Sequence, residues 1–117
     1  MNMSAVVSGV IGVLLVATSV GCSHMHRVVN TGDTMLYAVT VQSGKTKFGH
    51  GYLPPKAFNT YSGSMKITRS PAPVVSWKTE LNGAPVVREV ELDSNPYGRE
   101  IVFEIDGKTV RSVLRDR

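Results

Sequence analysis

Short apolar segments separated by turn residues constrain the fold of this chain more than any other feature of its sequence. Residues 35–41 alternate between two faces, with Met35 and Tyr37 on one and Leu36 and Ala38 on the other. Similar segments follow, separated by Gly, Pro, Asn or Asp at intervals of about eight to twelve residues. After residue 22 no pattern with a helical period extends beyond two turns. We therefore predict an all-β domain over residues 27–117, a single small antiparallel β-sandwich of seven to eight strands.

The first half of this domain has the less regular strands. Its predicted strands are residues 27–30, 35–41, 47–53, 56–61 and 65–68. Gly49 and Gly51 fall inside one of them, and glycine inside a strand indicates a bulge or the close approach of another backbone. Pro71 and Pro73 mark an extended crossing between two parts of the fold.

Asn82-Gly83 predicts a hairpin, because this dipeptide suits the two positive φ values of a type I′ turn. A two-residue loop would pair Leu81 with Ala84, Thr79 with Val86, Trp77 with Arg88 and Val75 with Val90. Arg88 is then the one charge on an apolar face. We expect its guanidinium to lie over Trp77 in a cation–π contact.

Asp106-Gly107 predicts a second hairpin of the same design, with Phe103 opposite Val110 and Ile101 opposite Ser112. The carboxylates of both hairpins fall mainly on water-facing sides: Glu80, Glu89, Glu91, Glu100 and Glu104. Exposed strand faces do not supply the buried cleft that tunes a general acid–base pair. We predict no catalytic site.

The N-terminus carries an uncharged, mostly apolar stretch from residue 5 to residue 20, followed by Gly21 and Cys22, the single cysteine. Residues 18–22 (TSVGC) resemble the lipobox of bacterial lipoproteins, although Ser19 stands where that family usually has Leu. The resemblance implies a signal peptide over residues 1–21, a lipidated Cys22 with a tether over residues 22–26, and a membrane-anchored protein facing the periplasm. Ser23 after the cysteine implies the outer membrane.

Three other interpretations of this stretch stay open. An uncleaved membrane anchor would need roughly 20 apolar residues to cross a bilayer. An ordinary signal peptide would leave one free thiol near the mature N-terminus. Met25 would be the start of a cytoplasmic protein if the start were misassigned.

Charge is unevenly distributed along the chain. Residues 23–78 carry a net charge of +6 and residues 79–117 a net charge of −2. A basic half suits an acidic protein, an anionic lipid surface or a nucleic acid, and the export that the lipobox resemblance implies argues against the last. Lysines at strand edges and in loops also prevent edge-to-edge pairing, which is an equally good explanation.

The histidines give little support for a metal or an active site. His24-Met25-His26 lies in the predicted tether, and two ligands without a fixed third make a weak site for a soft metal. His50 is the better candidate for a functional histidine, although no Ser or Cys nucleophile motif accompanies it. We predict no metal and no cofactor, and a small hydrolase using His50 is the last of the hypotheses.

Two stretches, residues 48–55 (FGHGYLPP) and 75–83 (VSWKTELNG), look like segments of small Gram-negative lipoproteins with one β-sandwich domain. Some members of that group resemble immunity proteins, which block toxic envelope effectors such as type VI secretion phospholipases. The resemblance implies a non-enzymatic protein-binding module. The alternative is a structural or accessory envelope component that binds anionic lipid or cell-wall polymer. The candidate residues for partner binding combine aromatic, glycine-flanked and basic positions: Phe48, His50, Tyr52, Lys56, Phe58 and Tyr61.

Overall fold

The computed structural model describes residues 22–116, in which eight strands form two sheets packed face to face. The strands are β1 (Cys22–Asn30), β2 (Leu36–Ser43), β3 (Thr46–Leu53), β4 (Phe58–Thr68), β5 (Val74–Lys78), β6 (Val86–Glu89), β7 (Arg99–Ile105) and β8 (Val110–Asp116). The first sheet has the order β4-β1-β7-β8 and the second the order β3-β2-β5-β6. The predicted all-β sandwich is confirmed. The predictions for the signal peptide, residues 1–21, lie outside the described residues.

One strand pair in the described part of the chain departs from the predicted antiparallel arrangement. β1 and β7 run parallel, with Val28 opposite Phe103, while the other pairs are antiparallel. A parallel pair needs a long connection. Here that connection is the whole second sheet together with β4, so the two ends of the domain are joined within one sheet.

The core lies between the inward faces of the two sheets. Trp77 and Phe103 are its largest side chains and are 0% exposed. The indole Nε1 of Trp77 donates a hydrogen bond of 3.0 Å to the Gly107 carbonyl oxygen, which satisfies the polar atom of a buried tryptophan. The remaining fully or almost fully buried apolar residues are Val28, Leu36, Val39, Val41, Leu53, Met65, Ile67, Val75, Val90, Leu92, Ile101, Val102 and Ile105.

The first strand begins earlier than predicted. β1 starts at Cys22 instead of residue 27, so the segment 22–26 that was predicted as a tether pairs with β4 and β7. Within it Ser23 and His26 are buried, and His24 is exposed. Its mixed polar composition hides the alternation that a strand usually shows.

Strict alternation in the second strand was also predicted wrongly. Leu36 and Val39 are both fully buried, although they are three residues apart. A bulge at Tyr37 and Ala38, where Ala38 has a φ of 50°, adds one residue on β2 relative to β3. The bulge moves Val39 onto the face that Leu36 already occupies.

The register predicted for the first hairpin is wrong by two residues. β5 and β6 pair Trp77 with Val86 and Val75 with Arg88. Pro85 has no N–H to donate to the ladder, and the loop therefore extends over residues 79–85. A shift of two residues keeps each side chain on its predicted face, because the side-chain period of a strand is two.

The predicted contact between Arg88 and Trp77 is not formed. Arg88 is exposed, and its guanidinium donates to the carbonyl oxygens of Val87 and Lys108. The cation–π contact found among residues 22–116 instead joins Arg27 to Phe58, with 4.4 Å between the guanidinium carbon and the ring centroid.

The second hairpin is likewise shifted by two residues, with Phe103 opposite Ser112 and Ile105 opposite Val110. Its loop has four residues instead of two. The Asp106 carboxylate accepts hydrogen bonds from the backbone N–H groups of Thr109 and Lys108, and these bonds lower its pKa. An aspartate that caps its own loop in this way favours the longer turn.

β4 is one strand where two were predicted. Its pairing with β1 jumps between Ser23 and Met25, where β4 has extra residues in a bulge that includes Gly63. The hydroxyl of Tyr61 accepts a hydrogen bond of 3.0 Å from the backbone N–H of Met65 and so stabilises the bulge. A Cβ at Gly63 would lie 2.7 Å from that hydroxyl oxygen, so this position favours glycine.

Candidate functional site

A bulge on the edge strand β3 places His50 inside the sandwich. Between Val39 and Thr40 of β2, the paired residue on β3 moves from Gly51 to Gly49, which leaves His50 as the extra residue. Gly51 has a φ of 74°, a conformation that favours glycine. The bulge that Gly49 and Gly51 predict is therefore confirmed, and it turns His50 toward the first sheet.

His26 meets His50 from the opposite sheet. It lies on β1, a central strand, and is 1% exposed. The Nε2 atoms of the two imidazoles are 2.9 Å apart, and the rings meet edge to face with 5.0 Å between their centroids. This side-chain hydrogen bond joins the two sheets.

Asn59 of β4 completes a hydrogen-bond chain with the two histidines. Its amide Nδ2 lies 2.8 Å from Nδ1 of His50. When Asn59 donates to Nδ1, the proton of the neutral His50 ring is on Nε2 and is donated to His26. The orientation of the Asn59 amide thus decides which nitrogen of His50 carries the proton.

Aromatic rings surround the pair. Tyr61 stacks on His26 with 5.1 Å between centroids, and Phe48 lies 4.8 Å from His50 and 4.5 Å from Tyr61. The Phe103 ring, in the core, packs edge to face against the His26 ring. We name His26, Phe48, His50, Asn59 and Tyr61 the histidine cluster.

Burial keeps both imidazoles neutral. It lowers the pKa of His26 to about 3, with a smaller contribution from the neighbouring His50, and it lowers the pKa of His50 to about 4. A base with so low a pKa is a poor proton acceptor at neutral pH. The cluster therefore contains two neutral imidazoles and no general base suited to neutral pH. In residues 22–116 no group of three or more His, Cys, Asp or Glu side chains gathers in a way that would hold a metal ion.

The six residues predicted to bind a partner fall into two groups. Phe48, His50 and Tyr61 belong to the histidine cluster and point into the sandwich. The other three are exposed: Tyr52, Lys56 and Phe58. We name these last three the exposed triad.

The exposed triad lies at one end of the sandwich, with Tyr52 on the second sheet and Phe58 on the first. Tyr52 precedes the last residue of β3, Phe58 is the first residue of β4, and Lys56 lies in the loop between them. Backbone hydrogen bonds from Lys56 N to Asn30 O and from Asn30 N to Ala57 O tie this loop to the end of β1. The side chain of Lys56 donates to the Thr31 carbonyl oxygen and lies 3.4 Å from the Asp33 carboxylate.

Cys22 lies at the other end of the same strand. Its thiol is free and half-buried. The nine residues of β1 separate it from the exposed triad by about 26 Å, at roughly 3.3 Å per residue. Tyr97, which is 64% exposed, lines a cavity together with Cys22.

The outward face of the first sheet carries an ion network that was not predicted. Glu100 is buried, not water-facing as expected, and its carboxylate oxygens lie 3.6 Å from both Arg27 and Arg115. The other carboxylates of the two hairpins are exposed or half-buried. The guanidinium of Arg27 also lies over the ring of Phe58.

Sequence reasoning missed His26 and Asn59 as partners of His50. His26 was placed with His24 and Met25 in the tether, but the structure exposes His24 and buries His26. The signal for His50 was its pair of flanking glycines. No sequence signal marked His26, since the contact joins residues 24 positions apart in different sheets.

Comparison with protein-family models, curated proteins and solved structures gives no match to this chain. The described residues include no helix that is long and apolar enough to cross a membrane.

Proposed function

We propose that this protein is a lipid-anchored binding module of the bacterial envelope, attached through Cys22, that recognises another protein with the exposed triad. Its sharpest form is an immunity protein or inhibitor that neutralises a toxic envelope effector. The observation that carries the proposal is the placement of Cys22 and the exposed triad at opposite ends of β1. A module anchored at one end presents the other end to the periplasm.

The chemistry of the exposed triad suits a protein partner. Tyr52 is 68% exposed and Phe58 is 58% exposed. Aromatic residues beside a cation are typical of the energetic centres of protein interfaces. Tyr37 supports Tyr52 edge to face at 5.8 Å, and Arg27 supports Phe58, so both rings are held in place before a partner binds. Ordering these side chains in advance lowers the entropic cost of association.

Basic residues at the Cys22 end favour a second function, the binding of anionic lipid. Four of them lie in or near the turns and strand ends at that end: Lys45, Lys47, Lys66 and Arg69. Each basic residue near an anionic surface contributes about 1 kcal/mol. This contact would add to the lipid anchor rather than replace the protein partner.

Affinity purification from envelope membranes tests the main proposal. The full-length protein with a C-terminal tag should recover one partner in near-equal amount. Tyr52→Ala combined with Phe58→Ala should remove that partner, while Tyr97→Ala, an equally exposed aromatic at the Cys22 end, should retain it. Recovery of abundant envelope proteins alone, or loss of the partner with Tyr97→Ala only, would overturn the assignment of the binding surface.

Two further measurements separate the parts of the proposal. If the protein is an inhibitor, periplasmic expression of the recovered partner alone should kill cells, and co-expression should protect them. If Cys22 is acylated, mass spectrometry should show a lipid-modified N-terminal cysteine, and Cys22→Ser should move the protein from the membrane to the soluble fraction. A lipid role predicts salt-sensitive sedimentation of the Cys22→Ser protein with anionic vesicles.

A further inference from the structure

The Nε2 atoms of the two imidazoles in the histidine cluster converge as the ligands of a metal site do. Nε2 of His26 and Nε2 of His50 face each other at 2.9 Å. Metal–imidazole bonds of about 2 Å place two ligand nitrogens about 3.3 Å apart at a tetrahedral angle and about 4 Å apart when they are collinear. A two-coordinate ion holds its ligands nearly collinear, so the two nitrogens have to separate by about 1.1 Å to become a pair of ligands.

The proton between the two nitrogens can leave without a new charge on either ring. If Asn59 turns its amide oxygen toward Nδ1 of His50, that nitrogen becomes the protonated one and Nε2 is left with a lone pair. Ligating histidines commonly donate their second N–H to such an acceptor. Asn59 therefore serves both tautomers of His50.

The surroundings of the pair select the kind of ion. A divalent ion such as Zn²⁺ takes four ligands, and the described residues bring no third His, Cys, Asp or Glu to the pair. Rings of Phe48, Tyr61 and Phe103 lie around it. Copper(I) is satisfied by as few as two neutral nitrogen donors, and its single charge is cheaper to bury and is favoured by aromatic faces.

We propose that His26 and His50 form a two-coordinate copper(I) site between the two sheets. His26 is the fixed ligand, on a central strand. His50 is the movable ligand, because it lies in a bulge on an edge strand. This site is separate from the exposed triad, so it does not depend on the proposed partner.

Titration of the full-length protein with copper(I) tests the site. The protein carries Cys22→Ser, which removes the single thiol, and competes anaerobically with a chromophoric copper(I) chelator. We expect one ion per chain. Asn59→Ala should weaken binding by about tenfold, the lower end of the effect of outer-shell partners, and His50→Gln should weaken it further. His24→Gln is the matched control and should bind as the parent does, because His24 is exposed.

Two spectroscopic readouts keep the test decisive if a variant does not fold. In the parent protein, copper(I) should shift the ¹⁵N resonances of both Nε2 atoms and leave those of His24 unchanged. X-ray absorption should show two nitrogen neighbours. Unchanged resonances for either His26 or His50, binding that survives in folded His50→Gln, or a four-coordinate zinc complex of equal affinity would each overturn the proposal.

Discussion

The two flanks of the sandwich are closed by different chemistry. On the flank of β3 and β4, the closed flank, the histidine cluster fills the gap between the sheets with rings and two side-chain hydrogen bonds. On the flank of β6 and β8, the open flank, a cavity of about 670 Å³ remains between residues 89–94 and 110–114. Ser112 Oγ crosses it with a hydrogen bond of 3.2 Å to the Glu91 carbonyl oxygen.

The difference shows what each kind of closure contributes. Packed rings exclude water and stabilise the fold through buried apolar area, but they leave the enclosed imidazoles unable to carry charge. Exposed hydrogen bonds cost little to form and contribute little, because water competes for both partners. We therefore expect the closed flank to determine stability and its dependence on pH, and the open flank to tolerate change.

The strongest test of this comparison removes one half-buried side chain from each flank. Tyr61→Ala should lower the free energy of unfolding by about 3 kcal/mol, since it deletes a packed aromatic ring and the acceptor for Met65 N. Val110→Ala, which lines the cavity, should cost about 1 kcal/mol. Urea denaturation of both variants measures the difference. Equal losses would mean that the histidine cluster does not dominate.

Acid should weaken the closed flank. Because the pKa values of His26 and His50 are lowered to about 3 and about 4 in the folded protein, the unfolded chain binds more protons below pH 6.5. The stabilisation is complete above pH 6.5 and is lost as the pH falls toward these values. For one histidine the slope is at most about 1.4 kcal/mol per pH unit, and the total loss is smaller for His50, which is partly exposed and whose pKa is lowered less.

Unfolding free energies measured from pH 7.5 to pH 4.5 give this slope. His50→Gln should reduce it, and His24→Gln should leave it unchanged. A parent protein that is as stable at pH 4.5 as at pH 7.5 would show that the buried histidines do not lower the free energy of unfolding in acid.

Gly63→Ala should disturb the closed flank from its edge. The added Cβ would lie 2.7 Å from the Tyr61 hydroxyl oxygen and displace it from Met65 N, which should cost about 1 kcal/mol. Gly49→Ala is the matched control, because a Cβ there meets no atom within 4 Å. The cost of Gly63→Ala should fall in a Tyr61→Phe background, and thermal unfolding of the double-mutant cycle measures this coupling. An equal cost in both backgrounds would place the strain elsewhere.

The smallest effect is expected on the open flank. Ser112→Ala removes the hydrogen bond to the Glu91 carbonyl oxygen and should change the free energy of unfolding by about 0.5 kcal/mol. Hydrogen exchange at the amides of β8 should rise only slightly. A loss above 2 kcal/mol would show that this flank is held more firmly than its exposed contacts indicate.

The fold class was predictable from the sequence because strand alternation is a local property. Val75 and Trp77 face the core as predicted, although both hairpins are shifted in register. The shifts come from Pro85 and from the side chain of Asp106, whose effects on loop length compete with the two-residue turn signals. A register error of two residues changes the cross-strand partners of a side chain but not the face of the sheet on which it lies.

The candidate site was only half predictable. Gly49 and Gly51 marked the bulge that turns His50 inward, and this local signal was sufficient. The partner His26 depends on the packing of one sheet on the other, which no local pattern encodes. The bulges on β2 and β4 were not predicted either, and they appear in the structure as register shifts against β3 and β1.

The start of β1 at Cys22 has a mechanical consequence. Cys22 itself pairs with Thr68 of β4, so no unpaired linker separates it from the sheet. β1 is hydrogen-bonded on both sides, to β4 and to β7. A pull on Cys22 along the strand loads these two ladders in shear, so many hydrogen bonds resist together instead of opening one at a time. A chain held at this residue is thus held through a central strand of its first sheet, and its orientation follows that of the attachment point.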